Sequence, residues 1–130
     1  MTNIVNNGTF YTDANGRQTI KRIRNRKPMY EAINSDSVAG NYYPVTSKIT
    51  IEDLKQNIRL SIFPDRTEGG TSLDDGEIDL MVQRRILTDD RGIQVVLNET
   101  HDGKGVVLRG RHLLYISKAN MKLNKVIEKK

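Results

Sequence analysis

The chain has 130 residues, of which 36% are hydrophobic, 28% charged and 5% aromatic, a size that fits one domain and excludes a large multidomain enzyme. Its 21 Lys and Arg against 16 Asp and Glu give a formal net charge of +5. The absence of cysteine removes disulfides, thiolate nucleophiles and Cys-based zinc sites, and two histidines, His101 and His112, allow at most one thin His-containing metal constellation.

No apolar run approaches the ~20 residues of a membrane helix, and the first ten residues have neither the charged start nor the apolar centre of a secretory signal. The sequence by itself predicts a soluble chain with no membrane partner. Along it, segments rich in Val, Ile, Thr and Tyr alternate with Gly, Asn and Asp clusters. Residues 9–12 and 17–23 read as strands, and Asn15-Gly16 between them signals a hairpin, because both residues tolerate positive φ. Residues 42–44 and 45–51 follow, then a turn at 52–56. A strand at 57–63 sets Ile58, Leu60 and Ile62 against Arg59 and Ser61, so one face is buried and the other wet.

Residues 64–72, Pro64-Asp65-Arg66-Thr67-Glu68-Gly69-Gly70-Thr71-Ser72, read as a polar loop. The run 77–87 reads as a strand with Ile78, Leu80, Val82, Arg84 and Ile86 on one face. That makes Arg84 an arginine in register with apolar neighbours, where it snorkels, pairs with a carboxylate or lines a polar cavity. A short run at 93–97, a loop through 101–105 and a strand at 106–116 complete the pattern. In the tail, Met121, Leu123, Val126 and Ile127 have helical spacing. The predicted fold is all-β: a β-sandwich of roughly six to eight mainly antiparallel strands over residues 1–117, with 118–130 as a terminal helix or frayed tail.

Each chemical signal has a plainer structural reading. Asp74-Asp75 and Asp89-Asp90 offer paired carboxylates, but both pairs lie beside glycine in turn sequence, where adjacent residues face water. His101-Asp102 has the composition of a base with its orienting acid, yet it sits in a glycine loop without a third partner nearby. His112, inside a strand, reads as a hydrogen-bonded structural imidazole. Gly69-Gly70 lacks the Gly-Lys-Ser/Thr ending of a phosphate loop. Basic runs at 21–27 and 122–130 are not interleaved with aromatics as a base-stacking surface would be, so nucleic acid is not an expected partner. Asn7-Gly8-Thr9 and Asn98-Glu99-Thr100 match the glycosylation pattern, making Asn7 and Asn98 candidate acceptors.

Several motifs in order resemble one family. Phe10-Tyr11-Thr12-Asp13-Ala14-Asn15-Gly16-Arg17, Val38-Ala39-Gly40-Asn41-Tyr42-Tyr43-Pro44-Val45, Asp65-Arg66-Thr67-Glu68-Gly69-Gly70-Thr71-Ser72-Leu73, Leu80-Met81-Val82-Gln83-Arg84-Arg85-Ile86-Leu87 and Arg109-Gly110-Arg111-His112 look like the C-terminal β-rich region of the lysosomal class II α-mannosidases, glycoside hydrolase family 38. The resemblance implies a retaining, zinc-dependent enzyme that removes terminal α-mannose, with the zinc ligands, nucleophile and acid/base in an N-terminal domain not represented in these residues. On this reading the chain has no catalytic residue, no metal ligand and no cofactor of its own. It is a structural and site-completing segment.

The same resemblance sends one arginine of the pair Arg84 and Arg85 toward the catalytic pocket, where a guanidinium fork fixes a carboxylate or sugar hydroxyls; an ion pair pinning two domains fits the same physics equally well. Tyr42 and Tyr43 match a family motif, and Tyr43 is a candidate for the same cleft, with packing as the competing use. The implied partners are the remaining α-mannosidase polypeptide and a mannose-containing oligosaccharide, and the implied location is the lysosome or secretory pathway. The alternative is a stand-alone carbohydrate- or protein-binding β-sandwich module.

Overall fold

The computed structural model describes residues 2–13, 15–26, 37–84 and 99–120. Among these residues the strands in chain order are β1 (Thr9–Asp13), β2 (Thr19–Ile23), β3 (Tyr43–Val45), β4 (Ile49–Asp53), β5 (Ile58–Pro64), β6 (Glu68–Thr71), β7 (Asp79–Met81), β8 (Thr100–His101), β9 (Lys104–Gly105) and β10 (His112–Ser117), with one 3-10 turn at Ala39–Asn41. They form a five-stranded sheet of order β10-β5-β4-β1-β2, a three-stranded sheet of order β3-β6-β7 and the small hairpin β8-β9, and every pairing is antiparallel. The architecture is all-β, as the alternating sequence predicts.

Register explains the core. Thr12 lies opposite Ile49, Ile49 opposite Ile62 and Ile51 opposite Leu60, so alternation puts Phe10, Ile49, Ile51, Leu60 and Ile62 on one face of the larger sheet. Val45, Tyr43 and Leu80 of the smaller sheet pack on that face, joined by Ile4 and Ile78. Phe10, Val45, Ile49 and Ile51 are completely buried there. The β1 and β2 hairpin forms as expected, with Asp13 opposite Thr19, but its connection is longer than a two-residue turn. Asn15 accepts the Arg17 and Gln18 N–H groups on Oδ1 at 2.9 and 3.2 Å, and Gly16 takes the positive φ of 71°.

Four expected segments differ in extent. The stretch 42–51 is broken at Thr46–Lys48, where the chain leaves one sheet for the other. Asp13 gathers that crossing: its Oδ1 accepts the N–H groups of Thr46, Ser47 and Lys48 at 3.2, 2.9 and 3.1 Å, and its Oδ2 accepts the Ser47 hydroxyl at 2.7 Å. The expected polar loop 64–72 contains strand β6, which runs between β3 and β7. Of the expected strand 77–87, the described residues pair over Asp79–Met81, residues 82–84 are exposed beyond it, and 85–87 lie outside the described residues. The expected strand 106–116 begins its ladder at His112, because residues 106–111 are taken up by an exposed approach that ends on Asp65. Of the expected helical or frayed tail 118–130, residues 121–130 lie outside the described residues.

Gly70 is fixed by packing. A Cβ on it would lie 2.7 Å from Val45 Cγ2 and 3.1 Å from both Ile49 Cδ1 and Leu80 Cδ2, so no side chain fits between the sheets there. Gly70→Ala is expected to destabilise the fold by about 1–3 kcal/mol through overpacking, read as a lower urea midpoint with an unchanged slope; a neutral result contradicts close contact of the sheets at this point.

Three carboxylates hold the loops. Burial alone would push the Asp13 carboxyl up, but the Ser47 hydroxyl and the Ser47, Lys48 and Thr46 N–H groups outweigh it and hold it below the usual 3.8. Asp53 is lowered by the Gln56 and Val5 N–H groups, and Asp75 by the Gly8 N–H against some desolvation, with the Asn7 N–H and Arg24 adding to it. Each folded value lies below the unfolded one, so protonation favours the unfolded chain. Their stabilisation is therefore complete above the unfolded value and is lost as pH falls through the lower folded values. Urea midpoints measured down a pH series should show this acid loss, and Asp13→Asn should be less stable at neutral pH with a shallower acid slope. An unchanged slope would remove Asp13 from the account.

Candidate functional site

Three places among the described residues bear on function, two polar and one apolar. His112 on β10 meets Glu68 on β6, linking the larger sheet to the smaller one. Its Nε2 lies 3.1 and 3.0 Å from the two carboxylate oxygens, and the Glu68 side chain is 2% exposed. An ionised carboxylate only accepts, so Nε2 carries the hydrogen. The sequence-based reading of His112 as a hydrogen-bonded imidazole matches this geometry. His101, by contrast, lies at the tip of the β8-β9 hairpin, where Asp102 and Gly103 both take positive φ, 51° and 71°, as a type I′ turn demands. Its Nε2 is 3.5 Å from the Asp102 carboxylate, and both side chains are nearly fully exposed.

The second place is the β5 and β6 corner. Asp65 accepts Arg66 Nε on Oδ1 at 2.9 Å and the Arg111 N–H on Oδ2 at 2.9 Å, while Arg66 Nη2 donates to the Arg109 carbonyl at 2.7 Å. The Arg66 guanidinium, opposed by some desolvation and aided by the Arg111 N–H, keeps the Asp65 carboxyl below its usual range. Asp65, Arg109, Gly110 and Arg111 together line an open cleft of about 330 Å³. Asp65 is thus committed to holding the loop, while the arginines give the cleft its positive character.

The third place is β10 itself. Leu113, Leu114, Tyr115 and Ile116 are consecutive large side chains, and all four are exposed, Leu114 and Ile116 to 68% and 71%. Val106 and Val107, on the approach to β10, are exposed as well. Isolated exposed apolar residues are ordinary, but a contiguous strand of them marks a contact surface.

The residues singled out from sequence are dispersed. Tyr43 is half-buried between the sheets, its ring 5.9 Å from that of Phe10 and 4.2 Å below the Arg22 guanidinium, whose Nε donates to Thr12 Oγ1 at 3.1 Å. Arg84 is exposed beyond the end of β7, and β3 and β7 are opposite edges of the smaller sheet, so the structure does not gather Tyr43 and Arg84 into one cluster. Arg85, Asn98 and the Asp89-Asp90 pair lie outside the described residues. Asn7 is exposed at the turn before β1. Asp74-Asp75 is a turn, in which Asp75 accepts the Asn7 and Gly8 N–H groups at 3.1 and 3.0 Å and Arg24 Nη2 at 3.0 Å. Sequence reading missed Asp65, Glu68 and Arg66, because their partners are more than forty residues away and no local spacing encodes the contact.

Among the described residues no group of three or more His, Asp or Glu could hold a metal ion. His101 with Asp102 and His112 with Glu68 are two-group pairs, so these residues do not fit the zinc that the family resemblance implies. No helix among them is long and apolar enough to cross a membrane.

Residues 1–92 match the family model for the glycosyl hydrolases family 38 C-terminal domain, and the chain belongs to that family. Lysosomal α-mannosidase of Bos taurus is 47% identical over 118 residues, 90% of this chain and 11% of its own length. Lysosomal α-mannosidase of Homo sapiens is 46% identical over 113 residues, 86% of this chain and 11% of its own length. An α-mannosidase of Canavalia ensiformis is 40% identical over 119 residues, 86% of this chain and 12% of its own length. The chain thus spans about a tenth of the length of the curated relatives it matches.

His112→Ala leaves the Glu68 carboxylate buried without this hydrogen bond and is expected to cost about 1–3 kcal/mol. In a double-mutant cycle with Glu68→Gln, the pair should cost clearly less than the sum of the single changes; strict additivity would show that the contact contributes nothing.

Proposed function

We propose that this chain is a structural and site-completing β-sandwich segment of a lysosomal-type α-mannosidase, acting with further polypeptide that supplies the nucleophile, acid/base and zinc for hydrolysis of terminal α-D-mannose residues of N-glycans. The observation that carries this reading is the pairing of family membership over a tenth of the relatives' length with a whole strand of exposed apolar side chains. Hydrolysis of a glycosidic bond requires an acid and a nucleophile or base placed on either side of it. Asp13, Asp53, Asp75 and Glu68 are instead engaged in a strand crossing, in turns and in the His112 contact.

Within that enzyme Arg84 and Arg85 are the site-completing candidates, through bidentate hydrogen bonds to a carboxylate or to sugar hydroxyls, and Tyr43 is a further candidate, with packing against Phe10 as its competing use. Exposure of Arg84 leaves its guanidinium accessible to another domain. The names of the relatives support a lysosomal or secretory location, which the exposed sequon at Asn7 fits.

The test is complementation. The bovine relative, expressed without the segment that matches this chain, is mixed or co-expressed with the 130-residue chain, and release of 4-nitrophenol from its α-D-mannoside is followed. Activity is expected only when both polypeptides are present. Turnover by the pure chain, or no gain on mixing, overturns the proposal. In the active complex Arg84→Ala should lower kcat about tenfold or more without shifting the melting temperature; parallel loss of both would assign Arg84 to a domain clamp.

A further inference from the structure

Among the described residues, the β10 edge of the larger sheet combines an unpaired backbone ladder, an apolar surface and a flank on which Arg109 and Arg111 outnumber Asp65. The Asp65 N–H donates to the Arg111 carbonyl at 3.1 Å and the Ala119 N–H to the Asn57 carbonyl at 3.3 Å, so both ends of β10 are bonded to the β5 side in one continuous register. In an antiparallel ladder, bonded and non-bonded pairs alternate. The pairs Leu113 with Phe63, Tyr115 with Ser61 and Ser117 with Arg59 therefore exchange the hydrogen bonds, and the backbone groups of His112, Leu114 and Ile116 point away from β5. Among the described residues nothing pairs with that edge.

Edges of natural sheets are ordinarily blunted by charge, proline, a bulge or shortness. β10 has six residues, and its stretch from Leu113 to Ser117 has neither charge nor proline. The side chains that flank the outward backbone groups, Leu114 and Ile116, lie opposite Ile62 and Leu60 on the core-forming face, yet they are about two-thirds exposed because the smaller sheet does not reach them. The surroundings are basic. Arg109 and Arg111 line the cleft that precedes the strand, and exposed Lys118 follows it.

We propose that β10 is the receiving edge for an added strand: an extended apolar segment, carrying carboxylates at the end that meets Arg109 and Arg111, supplied by the polypeptide of the same family 38 enzyme that lies outside this chain. The occupant follows from charge complementarity with the basic flank and from the relatives' length, of which this chain spans 11%. Main-chain hydrogen bonds to Leu114 and Ile116 supply the pairing, their side chains extend the core beyond the smaller sheet, and the arginines set polarity and register. The inference rests on the reading of the chain as part of a larger enzyme.

Amide hydrogen exchange of the 130-residue chain tests it. The Leu114 and Ile116 amides should exchange rapidly and the Leu113 and Tyr115 amides slowly. Adding the synthetic probe acetyl-Val-Thr-Val-Thr-Val-Asp-Asp-amide, whose carboxylates meet Arg109 and Arg111 when it pairs antiparallel to β10, should slow Leu114 and Ile116 at least tenfold, and replacing its two Asp by Lys should weaken binding at least tenfold. Ile116→Pro removes only an outward N–H, so it should abolish probe binding while Leu113 and Tyr115 stay protected; Leu114→Lys should weaken binding without touching the backbone. Protection of Leu114 and Ile116 before any probe is added overturns the proposal. Dilution then tells whether a second copy or this chain's own segment covers the edge. Absence of probe binding also overturns it. In the complementation assay, full activity with Ile116→Pro rejects the strand-addition inference while leaving the proposed function intact, whereas failure of the unmodified chain rejects the proposed function itself.

Discussion

The close approach of the two sheets at Gly70 is the contact on which the rest of the fold depends. Tyr43, Gly70 and Leu80 lie in one register row across β3, β6 and β7. Because the central residue of that row has no side chain, Val45, Ile49 and Leu80 meet over it. With so few large aromatics in the chain, core volume comes from β-branched aliphatics, and these fill space only if the sheets approach closely. The bracing groups follow from the same geometry. Asp13 ties the crossing from β3 to β4, and His112 with Glu68 ties β10 to β6, so each polar contact spans the gap that the apolar contact closes.

Carboxylates act here as struts. Asp13, Asp53 and Asp75 accept backbone N–H groups at places where the chain turns or changes sheet, which satisfies donors that no strand partner reaches. Such bonds favour the ionised form. These three groups are held below the usual carboxylate value and remain charged in mildly acidic solution. A fold braced in this way keeps these supports until the pH falls through the lowered folded values.

How much of this is legible in sequence depends on whether a contact leaves a local trace. The β5 alternation of Ile58, Leu60 and Ile62 and the Asn15-Gly16 turn are local signals, and both correspond to observed elements. Strand β6 leaves none: two glycines in succession erase the period of two, and its flanking Glu68 looks like a loop residue until His112 arrives from forty-four positions away. The run from Ile78 shows the opposite failure, since its alternation continues beyond Met81, the last residue of the ladder with β6 among the described residues. The candidate Arg84 falls in that unpaired continuation, while Tyr43 proves to be gripped by Phe10 and Arg22, a three-strand arrangement that no spacing rule contains. Tyr43 is placed by tertiary neighbours, whereas the family likeness is carried by consecutive residues.

The distribution of apolar surface also bears on what kind of object this domain is. Phe10, Ile49 and Ile51 lie under the smaller sheet and are fully buried, while Leu114 and Ile116, on the same face two strands away, are mostly exposed. A domain evolved to stand alone has reason to make its outer strand polar, because an open ladder with apolar flanks templates aggregation. Here polarity is confined to the two ends of β10, at Arg109, Arg111 and Lys118, where it orients a partner without weakening apolar contact along the strand. On the strand-addition proposal the larger sheet continues into neighbouring polypeptide, and the domain's boundary is then set by what binds to its edge as well as by its own core.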